Sequence, residues 1–269
     1  MKVYTLGFVG AGNMAAAIIK GAIEKKTLES QNVFVYDVDT QKLDALSKET
    51  GIGLAASLDE LCAKSDIILL AVKPNVLPVV LESIKPLIGT KPVVSIAAGW
   101  SADMIKGIIG RDKKVLRLMP NTPLLVGEGM SVFETPTNLS DEEAAFVENV
   151  FSALGQIDHT QSKSMDAVTA VSGSGPAYVF MFVEAMADAG VLCGLSRAQA
   201  VKLAAQTVMG SAKMVLDTDS HPGALKDAVC SPGGTTIEAV KSLEQDGFRG
   251  AVINAVEQCA KKSQMLARK

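Results

Sequence analysis

Gly10-Ala11-Gly12-Asn13-Met14-Ala15 is the first stretch whose residue types and spacing have a chemical use. It fits G-x-G-x-x-G/A. Glycine at 10 permits a tight turn, glycine at 12 lets backbone approach a diphosphate, and a small residue at 15 allows a helix to pack closely on a strand. The free N–H groups and dipole of a helix opening here would hold the anion. An ordinary strand–helix turn has similar glycines, so context decides. The apolar run Val3–Val9 precedes the loop, and Asp37 closes the next apolar run, which favours a dinucleotide. A carboxylate there accepts hydrogen bonds from ribose hydroxyls and repels a 2′-phosphate. No arginine lies close by, although Thr40 and Lys42 do. NADH is therefore expected to serve at least as well as NADPH. The plainer alternative has Asp37 beginning a turn and Asp39 capping a helix.

Further segments end apolar runs, where open α/β sheets bind ligands. Ala71-Val72-Lys73-Pro74 is one, and its Lys73 is either a cofactor contact or a solvated charge. Ala97-Ala98-Gly99 offers room for a flat ring, or simply close packing. In Met119–Pro123, Asn121 is able to hydrogen-bond a carboxamide, or to sit in a rigid proline turn. Late in the chain, Ser231-Pro232-Gly233-Gly234-Thr235-Thr236 lies between two helical patterns. Adjacent glycines admit a ligand close to backbone, a helix opening at Thr235 or Thr236 presents unpaired N–H groups to a carboxylate, and Ser231 adds a hydroxyl. A helix cap and linker is the alternative.

The elements that must position these residues divide into two regions. In the first, strands are expected at Val3–Val9, Val33–Tyr36, Ile67–Val72, Val93–Ile96 and Val115–Met119. A helix follows the glycine loop over Asn13–Lys26, with Met14, Ala17, Ile18, Gly21 and Ala22 on one face. Ser57 with Glu60, Ser101, and Ser140 with Glu143 read as N-terminal caps of further helices. Strand–helix alternation predicts a doubly wound parallel sheet of Rossmann type. Beyond about Lys163 only helices are expected: Met165–Val171, Pro176–Leu192, one capped by Ser196 and running to about Leu216, Thr235–Leu243, and Phe248 to the end. The boundary falls near Ser162–Ser164, giving an α/β domain over 1–162 and an all-α domain over 163–269.

Composition narrows the class. Among 269 residues, 48% are hydrophobic and 20% charged, a globular balance. The net charge of −3 is spread without a basic block, which argues against nucleic acid and anionic membranes. Cys62, Cys193, Cys230 and Cys259 are too dispersed for a zinc site or a disulfide framework, so no metal is expected. Reduced thiols, and an N-terminus without a signal-peptide core, point to the cytoplasm. The most apolar stretch, Ala177–Val183, is broken by Glu184 and Asp188, so no membrane span is expected. Helix Pro176–Leu192 is nonetheless apolar nearly all round, which implies burial on several sides and a homodimer made by the helical domains.

Taken together, the loop at Gly10–Ala15, Ala71–Pro74, Ser95–Gly99, Met119–Pro123, Val171–Ala177, Ser231–Thr236 and Gly247-Phe248-Arg249 resemble pyrroline-5-carboxylate reductases along nearly the whole chain. The resemblance implies NADH or NADPH held by Gly10–Ala15, Asp37, Ala71–Pro74, Ala97–Gly99 and Asn121, with the nicotinamide at Ala97–Gly99. It implies a substrate carboxylate held by Ser231, Gly233, Gly234, Thr235 and Thr236, with Thr236 as the catalytic hydroxyl near the ring nitrogen. It also implies dimers made through the second domain, often gathered into larger rings, and reduction of 1-pyrroline-5-carboxylate to L-proline. His159, which follows a short strand, and His221, in a turn before a helix, are the only histidines and read as surface residues, so strong acid–base machinery is scarce. One rival is a 3-hydroxyacid dehydrogenase, whose helical domain resembles G-x-G-x-x-x-K. Gly173 and Gly175 match it, but Val179 stands at the lysine position and Val183 at the following asparagine. A second rival, a non-catalytic nucleotide sensor, has no need of the carboxylate loop.

Overall fold

The computed structural model describes residues 3–266. Met1, Lys2 and 267–269, which include the end of the helix expected from Phe248 onward, lie outside the described residues. The first compact unit runs to Ser174 and resumes at Cys259; the second is Gly175–Gln258.

The first unit is built on eight strands: β1 (Leu6–Val9), β2 (Val33–Tyr36), β3 (Gly53–Leu54), β4 (Ile67–Leu70), β5 (Val93–Ser95), β6 (Val115–Met119), β7 (Gly129–Thr135) and β8 (Gly155–Gln161). Their order is β3-β2-β1-β4-β5-β6-β7-β8. Pairing is parallel from β3 to β6. It reverses between β6 and β7, and β8 again runs parallel to β7. The reversal departs from an all-parallel sheet. Residues 120–128 form only a short turn with a 3-10 segment at Thr122–Val126, too little chain for a parallel crossover.

The helices of this unit are α1 (Asn13–Glu24), α2 (Thr40–Thr50), α3 (Leu58–Lys64), α4 (Leu77–Ile84), α5 (Ala102–Ile109), α6 (Asp141–Ser152) and the single turn α7 (Met165–Val168). Strand alternation sorts side chains into two cores. Leu6, Phe8, Ile67, Leu69, Leu116 and Leu118 pack with Ile18 and Ile19 of α1 and Phe151 of α6. Val9, Ile68, Leu70, Val93 and Val115 face Leu61 of α3, Leu81 of α4 and Ile105 of α5. Strands covered on both faces are largely apolar, which explains their nearly unbroken runs. Serine caps fix three helix starts: Ser57, Ser101 and Ser140 accept from the N–H groups of Glu60, Met104 and Glu143 at 3.1, 3.1 and 3.3 Å. Only at Ser140 does the glutamate reach back to the cap's own N–H, at 2.8 Å; Glu60 instead accepts from Ala56.

One charged side chain interrupts the second face. Arg117 of β6 is 4% exposed and Glu134 of β7 8%. They stand 3.5 Å apart, and Nε and Nη2 of Arg117 have no protein partner. Burial pulls the Arg117 pKa down, opposed by the charges of Glu134 and Asp166.

A π-helical turn, Thr169–Gly173, follows α7, closed by Ser174 N–H to the Thr169 carbonyl at 2.8 Å. The second unit holds α8 (Gly175–Leu192), α9 (Arg197–Thr218), α10 (Pro222–Val229), α11 (Thr235–Gln245) and the first turns of α12 (Phe248–Leu266). Within it the α8–α9 seam buries Ala187, Ala200 and Ala204, while Phe180, Met181, Leu203, Met209, Leu216 and Ile253 stay exposed.

Candidate active site

Strand register sets the ends of β1, β4, β5 and β6 side by side, since Val9 pairs with Leu70, Leu70 with Ser95, and Ser95 with Arg117. Sheet order reverses direction at β1, with β2 on one side and β4 on the other. A crevice outside the carboxyl ends at such a switch point is where open α/β sheets bind ligands. Gly10–Ala15, Ala71–Pro74, Ala97–Gly99 and Asn121 all follow those ends, so the structure brings this part of the expected set together.

The glycine loop has the backbone its sequence requires. Gly10 has φ +107°, and a Cβ there would stand 2.8 Å from the Ala71 carbonyl oxygen. A Cβ on Gly12 would meet nothing within 4 Å, so the loop is open on that side. Ala15 is fully buried where α1 crosses the sheet. No side chain caps α1, and its first turn has no acidic residue. Ala16 N–H is bonded to the Gly12 carbonyl at 2.9 Å, which leaves the amides of Asn13, Met14 and Ala15 for an anion. This geometry fits a dinucleotide diphosphate.

Asp37 has two roles to reconcile. Its Oδ2 accepts from Ala11 N–H at 2.6 Å, and its Oδ1 accepts from Asp39 N–H at 2.9 Å. The carboxylate therefore ties the glycine loop to the end of β2, besides offering remaining lone pairs to a ribose. Asp39 also caps α2, accepting from Lys42 N–H at 3.3 Å, and pairs with the Lys42 ammonium at 2.8 Å. The Lys42 hydrogen bond lowers the Asp39 pKa, and Asp39 raises that of Lys42.

At β4, the carbonyl of exposed Lys73 accepts from Val76 and Leu77 and starts α4, while Pro74 C=O accepts from Trp100 Nε1 at 3.1 Å. Trp100 thus links this turn to Ala97–Gly99, where Gly99 takes φ +77°. Asn121 is 9% exposed and is engaged on both sides. Its Oδ1 accepts from Met130 N–H at 2.8 Å, and its Nδ2 donates to the carbonyl and hydroxyl oxygens of Ser172 at 3.2 and 3.3 Å. Ser172 belongs to Val171–Ala177, a motif that had no assigned role in the sequence. Composition and spacing give no sign of its pairing with a residue so distant in the chain.

Ser231–Thr236 belong to the second unit and form a separate group. Gly233 has φ +66°, and Gly234 N–H closes the turn onto the Ser231 carbonyl at 3.0 Å. Gly234 is the N-cap of α11, without a side-chain cap. The first amides of that helix are free, and no side-chain hydrogen bond of the described residues engages the half-buried Thr236 hydroxyl. A Cβ on Gly234 would lie 3.1 Å from the Ser231 carbonyl oxygen. This arrangement suits a carboxylate with a hydroxyl beside it. The histidines are occupied elsewhere: His159 pairs with Glu148 at 2.8 Å, and His221 accepts from Gly223 N–H at 3.1 Å to cap α10.

Comparison with known proteins covers both units. Residues 162–266 match a family model described as pyrroline-5-carboxylate reductase dimerisation. Residues 5–99 match one described as NADP oxidoreductase coenzyme F420-dependent. The chain is 48% identical to a pyrroline-5-carboxylate reductase of Escherichia coli over 264 residues, 98% of each chain. It is 40% identical to one of Glycine max, covering 98% of this chain and 96% of that one. Among solved structures, pyrroline carboxylate reductase of Plasmodium falciparum with NADP bound is similar at TM-score 0.91 and 37% identity, covering 99% of each chain.

Proposed function

The chain belongs to the pyrroline-5-carboxylate reductase family of NAD(P)H-dependent oxidoreductases, and on that premise we propose that it reduces the C=N bond of 1-pyrroline-5-carboxylate to give L-proline. When bound, the nicotinamide cofactor supplies the hydride, which forms the new C–H bond as the C=N π pair passes to nitrogen. The chain's own residues bind and orient. Amides of Asn13, Met14 and Ala15 face the diphosphate, Asp37 faces the adenosine ribose, and Ala71–Pro74 with Ala97–Gly99 wall the nicotinamide end. Ser231, Gly233, Gly234 and the amides of Thr235 and Thr236 receive the substrate carboxylate.

The observation that carries this reading is the uncapped start of α11 behind two glycines, with Thr236 Oγ1 unengaged. A nucleotide sensor has no use for such a carboxylate loop. A basic imine arrives protonated, so its reduction requires no strong acid. A hydroxyl beside the nitrogen, Thr236, is enough to place it or to supply the proton. Carbonyl reduction would call for a stronger donor, and Val179 and Val183 leave that place empty.

The helical second region supports a homodimer, since its family model is a dimerisation domain. Rings of such dimers and a cytoplasmic setting complete the proposal. The test is NADH and NADPH oxidation with the cyclic imino acid, beside NAD reduction with 3-hydroxyacids. Turnover of the imine alone is the expected result. Oxidation of a 3-hydroxyacid at comparable kcat/KM, or cofactor binding without turnover of either, refutes it.

A further inference from the structure

Asn121 was expected to touch the carboxamide of the nicotinamide, but its hydrogen bonds carry that contact one residue further. A backbone N–H only donates, so Met130 N–H at 2.8 Å fixes Oδ1 on its side of the amide. The Nδ2 group must then face Ser172, whose carbonyl only accepts. It also donates to Ser172 Oγ at 3.3 Å. A hydroxyl that accepts from Asn121 turns its own hydrogen away from it. Among the described residues no acceptor takes that hydrogen, although Ser172 is half-buried.

The location fits a ligand. Ser172 lies in the π-helical turn, an element rare in proteins and frequent at functional sites. The next residue, Gly173, packs against β6: a Cβ on it would stand 3.5 Å from Met119 Sδ. Met119 in turn clusters with Ala98.

We propose that Ser172 binds the cofactor and that Asn121 is the residue positioning it. The Ser172 hydroxyl donates to the carboxamide oxygen of the bound nicotinamide and so fixes which face of the ring meets the substrate. This rests on the placement of the nicotinamide at Ala97–Gly99.

Equilibrium titration of the purified full-length protein tests it, with NADH and with ADP-ribose, which has no nicotinamide. Ser172→Ala weakens NADH binding about three- to tenfold, the range of one neutral hydrogen bond, and leaves ADP-ribose binding unchanged. Ser172→Thr, which keeps the hydroxyl, restores most of the affinity. Asn121→Ala weakens NADH to a similar degree, and the double variant is no weaker than the worse single one, because both act through one hydrogen bond. Ala98→Leu places bulk where the ring would lie and abolishes NADH binding while sparing ADP-ribose. Wild-type NADH affinity in Ser172→Ala, or equal loss of ADP-ribose, overturns the assignment of Ser172. Wild-type NADH affinity in Ala98→Leu overturns the ring placement as well.

Discussion

Asp37→Ala separates the internal task of this carboxylate from the ribose contact proposed for it. The first is internal, because both oxygens accept backbone N–H groups, from Ala11 at 2.6 Å and Asp39 at 2.9 Å. A hydrogen bond to a charged group contributes roughly 1.5–3 kcal/mol. The Asp39 amide lies at a more open turn and regains water when released. The Ala11 amide sits in the glycine loop, and its loss lets Gly10–Gly12 relax from the form that receives the diphosphate. About 1.5 kcal/mol of loop ordering is then charged against binding, a weakening of about tenfold for any ligand that uses the loop. The second task concerns the ribose. NADH loses about a further 1 kcal/mol of hydrogen bonding, whereas NADPH is relieved of repulsion with its 2′-phosphate. Expected results are about 50- to 100-fold weaker NADH binding and little net change for NADPH. Reduced nicotinamide mononucleotide has no adenosine ribose but keeps one phosphate for the loop, so it reports the loop contribution apart from the ribose. Fluorescence titration of the three ligands against both proteins measures each part. Unchanged affinity for the mononucleotide refutes the loop role. A wild-type protein that prefers NADPH more than about tenfold in kcat/KM, ~1.4 kcal/mol, refutes the ribose role.

Thr236→Ala is expected to lower kcat and leave the Kd for NADH unchanged, while Gly234→Leu raises KM for the imino acid; steady-state kinetics with parallel titration check both, and wild-type kcat in Thr236→Ala reduces that residue to a helix-cap position. Glu134→Gln strands the buried Arg117 and costs about 3–5 kcal/mol, read by urea denaturation, whereas Arg117→Met with Glu134→Leu comes close to neutral; a loss below about 1 kcal/mol in Glu134→Gln contradicts the pairing. Sedimentation at low micromolar concentration is expected to give dimers or larger species, and a fully active monomer contradicts the partner-covered helical unit.

The sequence reading succeeded where one physical cause dominated. β1, β2, β4, β5 and β6 are covered on both faces, and such strands are visible as mostly apolar runs. β7 and β8 are not. The reversed pair gives β7 no helix-to-strand rhythm, and β8 (Gly-Gln-Ile-Asp-His-Thr-Gln) is an edge strand with most side chains in water. With β7 unseen, Glu134 was unseen too, so Arg117 passed as an ordinary residue of an apolar strand. The glycine loop was legible because part of its constraint is local: Gly10 has φ +107°, a backbone conformation that favours glycine, while the carbonyl of Ala71 beside it adds a second reason that spacing does not encode. The tie between Asp37 and Ala11 and that between Asn121 and Ser172 depend on side-chain geometry across the fold, which spacing does not encode. Ser57 with Glu60 makes the same point at short range, since the spacing of a capping box is present and the glutamate bonds Ala56 instead.

The helical run Ser162–Leu192, 31 residues long, is by length and composition apolar enough to cross a bilayer, although the sequence stretch Ala177–Val183 alone is too short. Only 6% of its most apolar window is buried within one chain. Two coverings would suit such a surface, lipid or protein. Glu184 and Asp188 lie on α8, and Arg197 bonds Asp188 at 2.5 Å beside Phe180, Val183 and Val201. Ionised groups among the apolar ones are costly in hydrocarbon and ordinary at a protein interface. The family model over 162–266 is one of dimerisation, which supports protein. Within one chain the α8–α9 seam fully buries only the small side chains Ala187, Ala200 and Ala204, and the large exposed side chains Phe180, Met181, Met209 and Ile253 suit packing against a second copy. The loop proposed to hold the substrate carboxylate, at the start of α11, stands in that same unit. On the proposed reading, ordering of the substrate site goes with assembly, and a variant that weakens the dimer is expected to raise KM for the imino acid as well.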